Sequence, residues 1–211
     1  MNTFTHEEVY RGEDVLKKMA EVPLSFCGAG AIGSNMCVNL IRQGFKNASV
    51  IDFDRVDDHN RHTQVYGRRD IGQLKVVMLK NRIYTDMGVM IGDISIKLTE
   101  DNIKKLVDTY PLVIDGFDNS ESRRIVTDYC TKNNVDCLHV GLYQDYAEVI
   151  WNEGYRVPDD TKALDVCEYP LARNVIMMAV AVASESVIRF VSTGVKESYY
   201  ITLKDLKITR I

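Results

Sequence analysis

The sequence predicts an α/β fold: a mostly parallel sheet with helices on both faces, finished by antiparallel C-terminal strands. Three observations carry this expectation. Short apolar runs alternate with amphipathic stretches along the chain, the pattern of repeated strand-helix-strand units. The run Leu24-Ser-Phe-Cys27 opens directly onto glycines at 28, 30 and 33, which marks a strand-to-helix turn. After a long apolar helix, two closely spaced strand candidates end the chain. The 211 residues suit one domain over 1–211, with an N-terminal helical arm at 1–22 and a crossover loop at 152–168.

Residues 6–20 place Val9, Val15, Leu16 and Met19 roughly on one side and predict a helix, after which Pro23 introduces the first strand. In the turn that follows, Gly28 permits the sharp bend, Gly30 lets the backbone approach a pyrophosphate, and Gly33 allows helix and strand to pack closely. Ile32, Met36, Leu40 and Ile41 then recur at helical spacing until Gly44, a C-terminal cap. This helix aims its amide-rich, electropositive end at an anion. The strand Ser49-Val-Ile-Asp52 ends in an acid about 20 residues beyond Gly33, the spacing at which a carboxylate meets ribose hydroxyls. A Rossmann-like nucleotide site is therefore expected, and at this point a dinucleotide and ATP fit equally well.

A polar, irregular segment covers 54–69. A helix over 71–84, a strand over 89–97, a helix over 101–108 and a strand over 112–115 continue the alternation. Ile125, Val126, Tyr129 and Cys130 point a helix over 119–132 inward, with Asn133-Asn134 as its stop. Strands over 135–140 and 145–151 lead into the crossover loop, whose length suggests a functional segment. The apolar stretch 171–191 reads as a core helix or one shared with a second subunit, because Ser184, Glu185 and Arg189 interrupt it. Strands over 199–203 and 206–209 complete the pattern.

Composition narrows the function. Lys and Arg total 26 against 30 Asp and Glu, a formal charge of −4, so no long-range field recruits nucleic acid. The N-terminus lacks the basic and apolar blocks of a secretion signal, and no membrane association is expected. A cytoplasmic location follows as the expectation. The five cysteines at 27, 37, 130, 137 and 167 form no C-x-x-C pair, so neither a disulfide framework nor a zinc site is expected. His6, His59, His62 and His139 likewise lack metal-ligand spacing.

Four blocks in order are more specific than any one of them: G-A-G-A-I-G-S, I-D-F-D-R-V-D-D-H-N, D-I-G-Q-L-K and L-V-I-D-G-F-D-N-S-E-S-R, together spanning Cys27 to Arg123. This succession resembles the ThiF/MoeB/HesA family of adenylating enzymes, relatives of the ubiquitin-activating enzymes. The resemblance implies ATP and Mg²⁺ as ligands, a homodimer, and activation of the C-terminal carboxylate of a ubiquitin-like protein, sulfur-carrier protein or peptide as an acyl-adenylate. It also implies roles for individual residues. Gly28, Gly30, Gly33, Asp52, Asp54 and Asn60 would contact the nucleotide, with Asp52 on the ribose. Lys75 would reach the triphosphate, and Asp118 would be the metal-binding and catalytic aspartate.

The physical chemistry of those residues agrees with such roles. Joining two anions, a carboxylate and an α-phosphate, requires a metal, a cation on the phosphates and a firm hold on the nucleoside. Lys75 offers an ammonium near a helix start. Asp118 stands at the carboxyl end of a strand, where open α/β sheets bind ligands, and is a hard oxygen donor. Arg123, one turn beyond Asn119, is expected to reach the same rim as a catalytic charge. Each residue also has an ordinary structural reading: Lys75 as a solvated lysine, Asp118 as a helix cap, Arg123 as an ion-pair partner, and Asp54 and Asn60 as loop-folding groups. Tyr66 and Phe117 either border the adenine or fill space.

Two departures from the family pattern stand out. The family's N-x-x-R arginine is replaced by Thr63, which leaves Arg61, Arg68, Arg69 or a partner subunit's Arg11 as substitutes. Cys167, near the start of the long helix, lies where thioester-forming relatives carry their nucleophile. A helix dipole would favour its thiolate, while Asp165 and Glu168 oppose it. Two other functions fit fewer features: an NAD-dependent oxidoreductase, which leaves Lys75 and Asp118 unexplained, and a noncatalytic nucleotide-binding subunit, which Thr63 favours.

Overall fold

In the computed structural model, which describes residues 3–158 and 170–211, eight strands form one sheet in the order β3-β2-β1-β4-β5-β6-β7-β8. These are β1 (Leu24–Cys27), β2 (Ala48–Ile51), β3 (Gly92–Ile94), β4 (Leu112–Asp115), β5 (Asp136–Tyr143), β6 (Tyr146–Trp151), β7 (Tyr199–Thr202) and β8 (Lys207–Arg210). Strands β1 to β5 pair in parallel. From β5 to β8 every pairing is antiparallel. The expected mostly parallel sheet with an antiparallel finish is therefore what forms.

Seven α-helices accompany the strands among the described residues: α1 (Thr5–Arg11), α2 (Glu13–Glu21), α3 (Ala31–Gln43), α4 (Lys75–Met87), α5 (Ile103–Val107), α6 (Ser120–Asn133) and α7 (Arg173–Thr193). The pleat sends alternate strand residues to opposite faces. Leu24, Phe26, Leu112, Ile114, Leu138 and Val140 join α3, α4 and α7 in the larger core. Cys27, Ile51, Val113 and Cys137 face the other way, onto Ile103, Val126 and Cys130 of α5 and α6. By length and composition alone, α7 could cross a membrane, but half of its apolar window is buried, and Val175, Ala179, Ala183 and Val187 belong to the larger core.

Three expectations change at element boundaries. The helix expected over 6–20 is broken at Gly12, whose φ of 89° is outside the helical region. The helix expected from residue 71 begins at Lys75. Gly72 turns with φ 81°, and Leu74 bridges Arg55, which keeps 71–74 out of the helix. The strand expected over 89–97 shrinks to β3, because only Gly92–Ile94 finds a partner in β2.

Candidate active site

The glycine turn joins β1 to α3 at the carboxyl end of the parallel strands. Gly28 adopts φ 101°, a left-handed conformation, and its N–H donates to the Ile51 carbonyl at 2.9 Å. A β-carbon on Gly33 would lie 1.9 Å from the Gly28 carbonyl oxygen, whereas one on Gly30 would meet nothing within 4 Å among the described residues. The first glycine pair is thus a packing contact, and Gly30 faces open space at the helix start. The phenol of Tyr66, only 5% exposed, donates to the Ala29 carbonyl at 2.8 Å. Of its two sequence readings, the structure shows a buried prop beneath the turn.

Asp52 sits immediately after β2 and ties two backbones together. One carboxylate oxygen accepts from the Ala29 amide at 2.7 Å, and the other from the Asp54 amide at 2.7 Å. Burial pushes its carboxyl up, against the opposing pull of Lys75 and the two amides. Lys75 is the first residue of α4. Its amide donates to the Asp54 carbonyl at 3.0 Å, and its ammonium lies 2.9 Å from the Asp54 carboxylate. Asp52, Asp54 and Lys75 are therefore drawn together beside the glycine turn, although they come from two separate blocks of sequence.

Asn60 is brought to the same loop, folded inward. Its side chain accepts from the Asp57 amide at 2.8 Å, and its carbonyl receives the amides of Thr63 and Gln64. Thr63 is 8% exposed, with its hydroxyl on the Asn60 carbonyl. Asn35, on the first turns of α3, uses its Nδ2 to hold both the Ala31 carbonyl at 2.7 Å and the Thr63 carbonyl at 2.8 Å. Asn35 carried no signal in the sequence beyond being a polar residue on a buried helix face.

The turn after β4 abuts the glycine turn. Gly116 donates to the Cys27 carbonyl at 2.9 Å, and a β-carbon on Gly28 would sit 3.2 Å from the Gly116 backbone. Two residues on, Asp118 is exposed, with Asn119 Nδ2 at 3.4 Å from its carboxylate. Asn119 itself caps α6, accepting from the Ser122 amide at 2.9 Å. An open cleft of about 590 Å³ runs between Leu98, Thr99 and Glu100 on one side and Ser120, Glu121 and Arg124 on the other.

Arg123 does not reach the rim as the sequence suggested. It is turned inward, 7% exposed. Its guanidinium donates to the Tyr155 hydroxyl at 2.9 Å and the Val140 carbonyl at 2.7 Å, and stands 3.6 Å from Asp115. Asp115 also pairs with His139 at 2.8 Å, and the ring of Tyr155 stacks on His139 with centroids 3.8 Å apart. Sequence reasoning missed this cluster. The helical position of Arg123, one turn past a capping residue, fits an inward and an outward direction equally.

The possible arginine substitutes separate clearly. Arg61 pairs with Asp58, and Arg11 pairs with Glu7 and, at 2.8 Å, with Glu185 of its own chain. Arg68 and Arg69 are exposed. Cys167 lies outside the described residues. Among the described residues, no group of three or more His, Cys, Asp or Glu is placed to hold a metal.

Residues 6–203 match the model of the ThiF family. The chain is 31% identical over 121 residues to a probable molybdopterin-synthase adenylyltransferase of Gracilaria tenuistipitata var. liui, covering 56% of this chain and 34% of that protein. It is 30% identical over 135 residues to a sulfur carrier protein adenylyltransferase of Thermus thermophilus, covering 63% and 49%. This chain thus spans half or less of the length of these curated relatives. In three dimensions it superposes on E. coli MccB, solved with MccA-N7isoASN, with a TM-score of 0.85 at 19% identity, over all of this chain and 72% of that one. The E. coli tRNA N6-threonylcarbamoyladenosine dehydratase TcdA, solved with ATP, gives 0.78 at 19% identity, over 91% and 94%. With an ordered set of motifs, a matching sheet and a match over nearly its whole length, the chain belongs to the ThiF family.

Proposed function

We propose that the chain is an ATP-dependent adenylyltransferase that activates the C-terminal carboxylate of a ubiquitin-like protein, sulfur-carrier protein or peptide. A carboxylate oxygen of the partner bonds to the α-phosphorus of ATP, the bond from that phosphorus to the β-phosphate oxygen breaks, and pyrophosphate leaves. The observation that carries this reading is the contact between the Gly28 and Gly116 turns, which brings a phosphate-cradling helix start and an exposed carboxylate to one end of the sheet.

The amides at the start of α3, beside the open face of Gly30, receive phosphate. Asp52 orients the ribose with the lone pairs not engaged by its two amides. Lys75 lends positive charge to the phosphates and exchanges its partner Asp54 for them. Asp118 fits Mg²⁺, since its carboxylate is exposed with a single long contact among the described residues, and this ion is commonly held by one carboxylate and substrate phosphates. Bound there, Mg²⁺ would neutralise phosphate charge. Arg123 holds the β4 turn from within instead of touching phosphate. Cys167 is proposed as the acyl acceptor after adenylation: its sulfur bonds to the acyl carbon, the bond from that carbon to the AMP oxygen breaks, and AMP leaves while the thiol proton passes to solvent.

A homodimer and a cytoplasmic location belong to the same proposal. Met177, Ala181 and Val182 leave an apolar stripe on the outer side of α7 suited to a second copy, and the buried free thiols Cys27, Cys37, Cys130 and Cys137 suit a reducing compartment. ATP–pyrophosphate exchange tests the core of the proposal. Exchange should depend on a partner carboxylate and vanish in Asp118→Ala. ATP binding without exchange under any partner would instead mark a noncatalytic subunit.

A further inference from the structure

A triphosphate brings several negative charges to the start of α3, and the cation built in beside it, Lys75, already faces Asp54 at 2.9 Å. The loop position that carries an arginine in the family pattern is occupied by Thr63, which is folded into the loop through Asn60 and Asn35. The fold supplies a cation to that loop from elsewhere. Arg173, the first residue of α7, donates from Nη1 to the His62 carbonyl at 2.7 Å. It is exposed, and no carboxylate pairs with it among the described residues.

A short series of contacts relates this guanidinium to the phosphate-facing turn. The Ala31 carbonyl in the first turn of α3 and the Thr63 carbonyl share Asn35 Nδ2 at 2.7 and 2.8 Å. The carbonyl that Arg173 holds belongs to the residue immediately before Thr63. Arg173 is therefore fastened to a loop that is itself fastened beside Gly30, where a β-carbon would meet nothing. One of its five N–H donors is used on His62, and among the described residues the others have no partner, which leaves the planar fork open to phosphate oxygens.

We propose that Arg173 is the second phosphate-binding cation of this chain, contacting the β- and γ-phosphates in place of the arginine absent at position 63. This rests on the nucleotide reading above. The alternatives within the chain are weaker. Arg61 and Arg11 are held by carboxylates, and Arg123 is enclosed with Asp115. Arg68 and Arg69 are exposed, but among the described residues no contact ties their side chains to this loop.

Calorimetric titration of the full chain with Mg·ATP and, separately, with AMP tests the assignment. Arg173→Ala should weaken Mg·ATP binding about tenfold or more while AMP affinity and thermal midpoint stay at wild-type values, and Arg173→Lys should recover part of the loss. Unchanged ATP affinity overturns the assignment. So does an equal loss for ATP and AMP, which a merely structural role would produce, or a loss that appears in Arg68→Ala or Arg69→Ala instead. A wild-type chain that binds neither nucleotide overturns the nucleotide reading itself, a separate failure visible before any variant is made.

Discussion

His139 Nδ1 lies 2.8 Å from an Asp115 carboxylate oxygen across neighbouring strands, with both side chains fully shielded from solvent. The other oxygen of Asp115 accepts from the Phe117 amide at 3.1 Å, so this pair shapes the turn that presents Asp118. Burial alone would push the Asp115 carboxyl up. Arg123, His139 and the Phe117 amide together outweigh burial and hold it below the usual aspartate value.

The sign of that shift sets an acid response. The folded state binds this proton less readily than the unfolded chain, so the stabilisation is complete above the ordinary value of 3.8 and is lost as pH falls through the lower folded value. Asp115→Asn should cost about 3 kcal/mol at neutral pH by leaving Arg123 without its charge partner. It should also flatten the dependence of stability on pH below about 4. Urea unfolding from pH 2 to 7 checks both, and a variant with the wild-type acid slope would contradict them.

Tyr155 contributes in two separable ways. Tyr155→Phe removes only the hydroxyl that receives Arg123 and should cost about 1 kcal/mol. Tyr155→Ala also removes the ring stacked on His139 and should cost about 3 kcal/mol. Equal losses in thermal unfolding would mean that the stack carries no stability.

Gly30 and Gly33 should respond oppositely to the same added methyl group. Gly33→Ala forces a β-carbon to 1.9 Å from a backbone oxygen and should destabilise the chain by several kcal/mol, roughly the scale of severe overpacking. Gly30→Ala meets no atom of the described residues. Its melting point should stay near wild type while ATP affinity falls, as measured by calorimetry.

At the rim, chemistry and folding should come apart. Asp118→Asn changes an exposed group and should leave the thermal midpoint unchanged while slowing pyrophosphate exchange by about 10² or more. Lys75→Met should slow exchange by a similar factor. It should alter stability by only about 1 kcal/mol, because its partner Asp54 is half exposed and solvates once released.

Local signals were strong where neighbouring residues act together. The glycine turn, the order of strand and helix, and the placing of Asp52 and Lys75 beside that turn all follow from short-range pattern, since each depends on one strand end or one helix start. The helix break at Gly12 was hidden because Val9, Val15 and Leu16 keep a helical period across it. Asp115, His139 and Arg123 meet only when β5 is laid beside β4 in register, with Asp115 opposite His139. Arg173 reaches His62 across 111 residues of chain. A single sequence holds no periodicity that encodes such a meeting.

The strand order has a practical consequence at its far end. β8 is one edge of the sheet, and its outer row of amides and carbonyls is unclaimed among the described residues. Ile208 on that ribbon is 52% exposed, an adhesive combination by itself. Lys207 and Arg210 bracket it and act as gatekeepers, Arg210 while paired with Glu197 at 2.7 Å, since charged side chains on an edge must lose their hydration before a second copy can add itself there. Neutralising both should therefore raise edgewise association at high concentration, which light scattering of the purified protein checks.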